Sequence, residues 1–357
     1  MSIGLQYPLP TPPAAGQTCE VAEGVLWTRM PMPFSLDHIN VYLLRDDGGW
    51  WIVDTGLNRE TCKRLWQDIW SDLSPSGPLK GVICTHFHDD HTGLAGWFER
   101  EWKVPIYMSV QEYLTLATDR RLSDVIAEPP EQHLVFFSRA GFDREQTETL
   151  LKSLAGSSHG PLVPSQYRRL KHGDVLTIGE CHWQVVVGSG HSPEHLCLYS
   201  AQRGLLLSGD QVLPGITSNV CVTPVEPLAN PLKDWLDSLE RLMMVPDDVL
   251  VLPSHQLPFK GLHARLQFLY AHHQQALAQT REACSGQGAD AASVMRVLFP
   301  RIRSPIDQFL GLGEALAHLN FLVARDEMDA IETEGGATQY RCRPRSAALT
   351  HEEWIHE

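Results

Sequence analysis

The sequence of 357 residues has little positive charge, no long apolar run and no closely spaced cysteines. Its 29 Lys and Arg stand against 43 Asp and Glu, which gives a formal net charge of −14. Nucleic acids and anionic membranes bind basic surfaces, so this balance argues against both as partners. No apolar run approaches the roughly 20 residues that span a bilayer. We therefore expect a protein that neither crosses nor binds membranes.

The eight cysteines are scattered, without a C-x-x-C pair or the dense framework of small secreted domains. Several lie in apolar, strand-like runs, where a free thiol acts as a small hydrophobic side chain. Residues 1–17 are rich in proline and lack the charged start and apolar stretch of a signal peptide. These features predict reduced cysteines, an irregular N-terminal arm over residues 1–20 and a cytoplasmic location.

Residues 85–93 read T-H-F-H-D-D-H-T-G and are the most informative stretch of the sequence. The apolar run before them predicts a buried strand, and the residues after them predict a helix with Thr92 as its N-cap. The stretch therefore falls at the carboxyl end of a strand, where open α/β sheets place their chemistry. Such polar groups are costly to bury together unless a cation pairs with them, so the stretch predicts a metal site. The candidate ligands are His86, His88, Asp90 and His91.

The same pattern, a buried strand followed by small residues and then a His or an Asp, recurs three more times. Strands predicted over residues 182–187, 204–207 and 249–252 are followed by His191, Asp210 and His255. Asp54 also follows a predicted strand, and its simplest interpretation is a turn or cap residue. Because strand ends on one side of a sheet converge, five imidazoles and two carboxylates can meet there. These ligands are enough for two metal ions with about four ligands each.

The other predicted elements give an α/β fold. Strands are predicted over residues 21–30, 38–45, 49–53, 80–84, 104–108, 175–178 and 196–199, and helices over residues 58–73 and 232–244. A long segment, residues 109–172, forms a helical insertion between strands. We expect it to serve either as a lid over the substrate or as a packing cap over the sheet edge.

Residues 261–357 lie beyond the last candidate ligand and form a separate C-terminal domain, with the catalytic domain over residues 21–260. The tail is predicted to contain helices over residues 262–283, 291–298 and 313–323, followed by strand-like residues 330–342. Its nine Arg stand against twelve Asp and Glu, so it lacks the basic footprint of a nucleic-acid-binding domain. Its long first helix could supply the face of a homodimer.

In their order and strand contexts, these motifs resemble those of the metallo-β-lactamase-fold hydrolase superfamily over about residues 21–257. The H-x-H-x-D-H signature matches residues 86–91, and Asp54 matches the aspartate of the superfamily's first motif. The resemblance implies an αββα sandwich, two facing sheets with helices outside. It also implies that Asp54 orients ligands from behind. The implied ligand sets are His86, His88 and His191 for one metal, Asp90, His91 and His255 for the second, and Asp210 as the bridge.

The resemblance implies a hydrolase in which hydroxide held by two metal ions attacks an acyl carbon. Asp90 would steer this nucleophile and accept its proton. The ligands suit zinc, with iron or manganese as alternatives. The glyoxalase II and β-lactamase-like protein 2 branches, which the sequence also resembles, imply a small-molecule thioester or ester substrate such as an acyl-CoA or an acylated glutathione. The residues that would line an acyl pocket in the insertion are Leu134, Val135, Phe136 and Phe137.

Departures from the family pattern keep other activities open. Residues 189–195 read S-G-H-S-P-E-H, whereas glyoxalase II has P-G-H-T at the matching place. His88 stands where flavodiiron oxidoreductases carry Glu, which disfavours that redox branch. A lactonase would use the same hydroxide on a cyclic ester, and a sulfur dioxygenase would use one iron. The tail resembles a small winged-helix appendage, so a nucleic-acid-processing hydrolase is a further alternative that its acidic charge disfavours.

Overall fold

The computed structural model describes residues 4–34, 36–125, 131–155, 160–302, 304–334 and 336–344, which form two compact units. The first unit takes the described residues of Met1–Glu128, Ala155–Val220 and Lys233–His272. The second takes those of Pro129–Leu154, Cys221–Leu232 and His273–Glu357. The unit bounds differ from the domain bounds expected from the sequence, because residues 129–154 and 221–232 belong to the second unit.

The first unit contains two β-sheets. The seven-stranded sheet follows the order of the chain: β1 Cys19–Ala22, β2 Val25–Pro31, β3 His38–Asp46, β4 Gly49–Val53, β5 Leu79–Ile83, β6 Ile106–Met108 and β7 Arg168–Arg169. Strands β1 to β4 pair in antiparallel fashion, and strands β4 to β7 pair in parallel fashion, so β4 belongs to both kinds of pair. The five-stranded sheet has the order β12-β11-β10-β9-β8, and its strands are β8 Val175–Ile178, β9 Cys181–Gly188, β10 His195–Ser200, β11 Leu205–Gly209 and β12 Leu250–Pro253.

The two sheets face each other because both present an apolar inner face. In β3, Tyr42 and Leu44 point into a core that also contains Trp183 of the second sheet. Val41 and Leu43 point to the opposite face, since side chains of a strand alternate, and pack there with the helices. The strand is therefore buried on both sides. A sandwich with helices outside gives each such strand two covered faces.

Helices cover the outer faces of both sheets. Helix α1, Glu60–Leu73, buries Cys62, Trp66 and Ile69 on the first sheet, as its sequence spacing predicts. Helix α7, Pro231–Leu242, lies against the end of β9, where the Ser189 amide donates to Ser238 Oγ at 2.8 Å. The predicted α/β fold with an αββα sandwich is confirmed. The remaining helices are α2 Asp89–Thr92, α3 Ala95–Trp97, α4 Val110–Val125, α5 Glu131–Arg139, α6 Arg144–Ala155, α8 Leu262–Ala283, α9 Ala291–Leu298 and α10 Pro305–Ala324.

The second unit is mainly helical. Helices α5, α9 and α10 contribute to it, and the tail ends in an antiparallel hairpin of β13, Met328–Glu332, and β14, Thr338–Cys342. The predicted succession of helices and then strands in the tail is confirmed. Its assignment as a winged helix stays a prediction. No helix among the described residues has the length and apolar composition needed to cross a bilayer.

Two local predictions are wrong. Residues 21–30 form parts of two strands, β1 and β2, because Gly24 adopts a φ of 70° and turns the chain between them. Thr92 lies inside the short helix α2 and does not cap its start. Its hydroxyl donates to the carbonyl groups of Phe87 and His88 at 2.9 and 3.0 Å.

Candidate metal centre

All seven predicted ligands lie after the carboxyl ends of strands of the first unit, and the structure brings them together. Four follow β5, and β9, β11 and β12 are followed by His191, Asp210 and His255 respectively. The β11–β12 pair is parallel, which places Asp210 and His255 at the same edge of the sheet. The fold thus gathers residues from distant parts of the sequence at one rim.

One group of ligand atoms consists of His86, His88, His191 and Asp210, all within 4.8 Å of one another. His86 Nε2 lies 2.8 Å from His88 Nδ1 and 3.3 Å from His191 Nε2. Asp210 Oδ2 lies 3.5 Å from His191 Nε2. The three ring nitrogens and the carboxylate oxygen therefore surround one point, as ligands of a tetrahedral metal site do.

A second group consists of Asp90, His91 and His255. Asp90 Oδ2 lies 3.5 Å from His91 Nε2 and 3.4 Å from His255 Nε2. Asp210 stands between the two groups, with Oδ1 at 3.3 Å from His255 Nε2 and Oδ2 at 3.6 Å from His91 Nε2. Asp210 therefore lies within 3.6 Å of imidazoles of both groups, and its bridging role stays a prediction.

Hydrogen bonds behind three of the imidazoles fix which nitrogen faces the centre. Nδ1 of His91 donates to Asp54 Oδ2 at 2.8 Å, Nδ1 of His191 to the Asn219 carbonyl at 2.8 Å, and Nδ1 of His255 to the His38 carbonyl at 2.9 Å. A neutral imidazole that donates from Nδ1 presents an unprotonated Nε2, which is the form that binds metal once the ion displaces any proton there. The surrounding protein therefore prepares these rings for ligation.

Asp54 is the buried carboxylate that orients His91. It adopts a φ of 63°, in the left-handed region that a short polar side chain can tolerate. It accepts hydrogen bonds from the Thr85 amide at 2.8 Å and from the Thr85 hydroxyl at 2.9 and 3.0 Å. The structure thus places Asp54 directly behind a predicted ligand, where the resemblance expects it.

The first sheet also holds the segment that carries His255. The Asn40 side chain donates to the carbonyl groups of Pro253 and Gln256, each at 2.9 Å. The hydroxyl of Tyr42 donates to the Pro253 carbonyl as well, at 2.9 Å. A ligand that follows a strand of one sheet is therefore fixed by side chains of the other.

The charges of the centre call for a cation. Burial would raise the pKa of Asp90, but His91 and His255 outweigh it and lower this pKa to about 2. Burial would likewise raise the pKa of Asp210, but His255 and His91 hold it well below its usual range. Both carboxylates are therefore ionised at neutral pH. Burying them is costly unless positive charge lies close by.

The pKa values of the imidazoles shift in opposite directions, depending on whether burial or nearby carboxylates dominate. Burial lowers the pKa of His88 to about 3 and the pKa of His86 well below its usual range, so both stay neutral. Burial also disfavours protonated His91, but Asp90, Asp54 and Asp210 raise its pKa well above the usual value. Carboxylates around an imidazole favour any cation at that point, whether a proton or a metal ion.

Two buried atoms of the centre make no hydrogen bond among the described residues, His91 Nε2 and Asp210 Oδ1. Buried polar atoms without partners are rare in folded proteins and usually indicate an ion or a water. Neutral imidazole nitrogens and ionised carboxylates are the donors that zinc and similar divalent metals prefer. The residues therefore fit two divalent cations.

Two buried polar residues beside the centre were not predicted. His195 accepts a hydrogen bond from the Asp210 amide at 3.0 Å and stacks on His86 with ring centroids 4.8 Å apart. Glu112, on α4, is fully buried, and burial raises its pKa to about 7. The only sequence signal was a polar residue within an apolar strand or helix, which is too common to assign a role.

A small cavity of about 140 Å³ borders the centre at Asp90. Its walls combine the apolar side chains of Met32, Phe34 and Leu57 with the polar side chain of Arg59. Among the described residues, no ion pair or side-chain hydrogen bond engages the Arg59 guanidinium. Its lining also includes the carboxylates of Asp89 and Asp90, so the cavity offers apolar surface and charges of both signs next to the centre.

The predicted acyl-pocket residues lie on α5 in the second unit. Phe136 and Phe137 are buried there, and Phe137 packs near Phe142 and Phe309. Leu134 is partly buried and Val135 is exposed. Their role in binding substrate stays a prediction.

Fold and site together define a class of protein: an αββα sandwich whose sheet edges hold a His- and Asp-rich centre suited to two metal ions. The chain belongs to the metallo-β-lactamase superfamily, whose family model matches residues 35–255. A second model, for the metallo-β-lactamase-like C-terminal domain, matches residues 277–343. The resemblance inferred from the motifs is thereby confirmed, and the chain is a metallo-hydrolase of this superfamily.

The relatives agree with this assignment. The crystal structure of a beta-lactamase domain protein from Burkholderia ambifaria is 41% identical, with a TM-score of 0.85 over 95% of this chain and 98% of that one. The probable metallo-hydrolase YqjP of Bacillus subtilis is 24% identical over 90% of this chain and 99% of its own length. The acyl-coenzyme A thioesterase MBLAC2 of Gallus gallus is 26% identical over 66% of this chain and 79% of its own length.

Proposed function

We propose that this metallo-hydrolase holds two zinc ions and cleaves the acyl bond of a thioester or an ester. The observation that carries the proposal is the position of Asp210, whose two carboxylate oxygens face the two groups of imidazoles. His86, His88 and His191 would hold one ion, and Asp90, His91 and His255 the other. Bound ions would supply Lewis acidity, which makes hydroxide available at neutral pH and stabilises charge on an acyl oxygen.

Asp90 is the residue that we expect to orient the attacking water. Because its pKa is lowered to about 2, its carboxylate is ionised at neutral pH and can only accept hydrogen bonds. It also borders the cavity, so a water between Asp90 and a bound substrate would have its protons directed away from the acyl carbon. This position supports a role of Asp90 in orienting the nucleophile, and its predicted role as acceptor of the nucleophile's proton stays a prediction, because a pKa of about 2 makes it a weak base.

The cavity offers an acyl substrate apolar surface and one guanidinium, beside the carboxylates of Asp89 and Asp90. Met32, Phe34 and Leu57 offer apolar surface to a short acyl fragment, and Arg59 offers a guanidinium suited to carboxylate or phosphate groups. A coenzyme A thioester combines an acyl group with phosphates. Similarity to the Gallus gallus acyl-coenzyme A thioesterase MBLAC2 favours the same substrate class.

The test combines metal quantification with a substrate panel. We expect protein purified without chelator to contain close to two zinc ions per chain. We expect it to hydrolyse acyl-CoA or S-lactoylglutathione faster than a homoserine lactone or a phosphodiester. His88→Ala should lose at least one ion and most of the activity, because it removes a ligand from the centre of the first group.

Two results would contradict the proposal. Full metal content and full activity in His88→Ala would reject the ligand assignment. Two bound ions together with activity only on the phosphodiester or the lactone would leave the metal centre in place and reject the thioester.

A further inference from the structure

Glu112 is a fully buried carboxylate that lies close to the centre without belonging to either ligand group. It lies in the first turn of α4, Val110–Val125. Its Oε2 accepts a hydrogen bond from the Phe87 amide at 2.9 Å. Its Oε1 accepts two more, from the Ser192 hydroxyl at 2.8 Å and from the Glu194 amide at 2.6 Å.

The three donors belong to the two segments that carry the imidazoles of the first group. Phe87 lies between the candidate ligands His86 and His88, and Ser192 directly follows His191. One side chain therefore links segments that are about a hundred residues apart in the sequence. Neither segment is part of a regular helix or strand at these positions, and a backbone hydrogen bond from the Leu196 amide to the Thr85 carbonyl, at 2.8 Å, joins only their flanking residues.

The second ligand group is held by other residues. Asp54 orients His91, and the His38 carbonyl orients His255. Glu112 contacts neither of them in the hydrogen bonds of the described chain. The direct contacts of Glu112 are thus with the first group and those of Asp54 with the second, while the Thr85 hydroxyl, which bonds to Asp54, also lies 3.1 Å from Nδ1 of both His86 and His91.

We propose that Glu112 is a positioning residue which sets the distance between the segment of His86 and His88 and the segment of His191, and thereby the affinity of the first ligand group for its divalent cation. Metal affinity depends on ligand distances held within about 0.2 Å. A change of a few tenths of an ångström between the two segments is therefore enough to weaken binding. Glu112 itself touches neither the ion nor the substrate in this role.

The chain offers a matched control in Glu99, on the helical turn Phe98–Trp102. Glu99 also accepts three hydrogen bonds from a loop, from the Ser165 amide at 2.7 Å, the Ser165 hydroxyl at 2.7 Å and the Gln166 amide at 3.1 Å. That loop carries no candidate ligand. Glu99→Gln therefore loses the same kind of contact without disturbing the centre.

The test measures Zn²⁺ binding by competition with a chelator, so it does not depend on the substrate. Glutamine keeps the size of Glu112, but the NH₂ group of its amide can only donate. The hydrogen bonds that one of the two carboxylate oxygens accepts are therefore lost. For Glu112→Gln we expect one of the two Zn²⁺ ions to bind about 10- to 100-fold more weakly, the range typical of groups that orient metal ligands. The other ion in Glu112→Gln, and both ions in Glu99→Gln, should bind with the affinity of the unchanged chain. Melting temperatures without metal, measured for both variants, separate a general loss of stability from a loss of metal affinity.

Ser192→Ala and its control Ser165→Ala provide a milder comparison, which decides the matter if Glu112→Gln does not fold. Ser192→Ala should weaken the same ion by a smaller factor, and Ser165→Ala should not. Adding Ser192→Ala to Glu112→Gln should have little further effect, because both remove one linkage. Unchanged Zn²⁺ affinity in Glu112→Gln and Ser192→Ala, or equal weakening in the Glu99 and Ser165 controls, would overturn the proposal. Since only metal binding is read, a failed thioesterase assay would not affect this result.

Discussion

Single side chains decide which ring nitrogens face the metal centre. Asp54 is the clearest case, because it holds His91 through Nδ1 and leaves the buried Nε2 without a hydrogen bond. The residue does so in a left-handed conformation that a β-branched side chain could not adopt without strain. Charge, reach and backbone conformation therefore all restrict this position to a short polar residue.

Replacing Asp54 with Asn tests this role. Asn tolerates the same backbone conformation, but its amide leaves only one oxygen to accept from both Thr85 and His91. We expect the ion held by Asp90, His91 and His255 to bind about 10- to 100-fold more weakly. Chelator competition measures the effect. Because the direct contacts of Glu112 are with the first group, Glu112→Gln should weaken mainly the other ion, and a larger effect of Glu112→Gln than of Asp54→Asn on the ion of Asp90, His91 and His255 would contradict this division.

At the level of residues, the sequence predicts the candidate metal ligands, because each is a His or Asp that follows a predicted strand. His86, His88, Asp90 and His91 crowd into one turn, and the later ligands repeat the same pattern. Glu112 and His195 could not be predicted, because their partners are mostly backbone amides of distant segments. Every residue except proline has a backbone amide N–H, so the sequence does not show which amide will bond to a given side chain.

At the level of elements, the turn between β3 and β4 joins the two sheets. Asp46 accepts hydrogen bonds from Lys80 at 2.8 Å, from the Trp51 indole at 3.0 Å and from the Gly179 amide at 2.7 Å. Gly179 lies in the turn between β8 and β9 of the second sheet. One carboxylate thus fastens the edges of both sheets at this end of the sandwich.

This link makes stability depend on pH. Burial would raise the pKa of Asp46, but Lys80, Trp51 and Gly179 outweigh it and lower this pKa to about 2. A folded pKa below the unfolded value gives stability that is present above pH 4 and is lost as the pH falls from about 4 to 2, about 1 kcal/mol because solvent screens this pair. Asp46→Asn should lose this contribution at neutral pH and show less acid sensitivity in that range.

Asp47 provides the control for this measurement, since it is the next residue and its side chain is exposed. Denaturant unfolding of both Asn variants between pH 2 and pH 7 gives the comparison. Equal stability of Asp46→Asn and Asp47→Asn at pH 7 would show that the link between the sheets contributes nothing.

Most elements could be predicted from periodicity because they bury one or two continuous apolar faces. Helix α1 and strands β3 and β4 are of this kind. The division of residues 21–30 into two strands could not, because the turn rests on Gly24 within a run that otherwise favours extended structure. Thr92 failed as a cap for a related reason, since the helix starts earlier, within the ligand motif itself.

At the level of the whole molecule, all seven candidate ligands belong to the first of the two units. The second unit has its own buried residues, among them Phe137, Leu316 and Leu322. We therefore expect calorimetry to show two unfolding transitions. A free metal concentration 1,000 times the dissociation constant stabilises a folded unit by about 4 kcal/mol.

Removing metal with a chelator should thus lower the melting temperature of one transition by several degrees and leave the other unchanged. The Glu112→Gln variant in excess Zn²⁺ identifies which transition belongs to the first unit. An equal shift of both transitions, or a single transition that moves as a whole, would contradict independent units.

The least predictable feature at this scale was the insertion. Residues 109–172 were expected to act as one segment, but α4 belongs to the first unit and α5 to the second. Sequence periodicity identifies a helix and its apolar face but not the unit that covers this face. The choice between a lid and a packing cap stays a prediction for the same reason.

The order in which the ligands occur along the chain has a consequence during synthesis. His86 emerges from the ribosome early, whereas His255 emerges only after both sheets have been translated. The complete set of candidate ligands therefore exists only once the chain has been synthesised past β12.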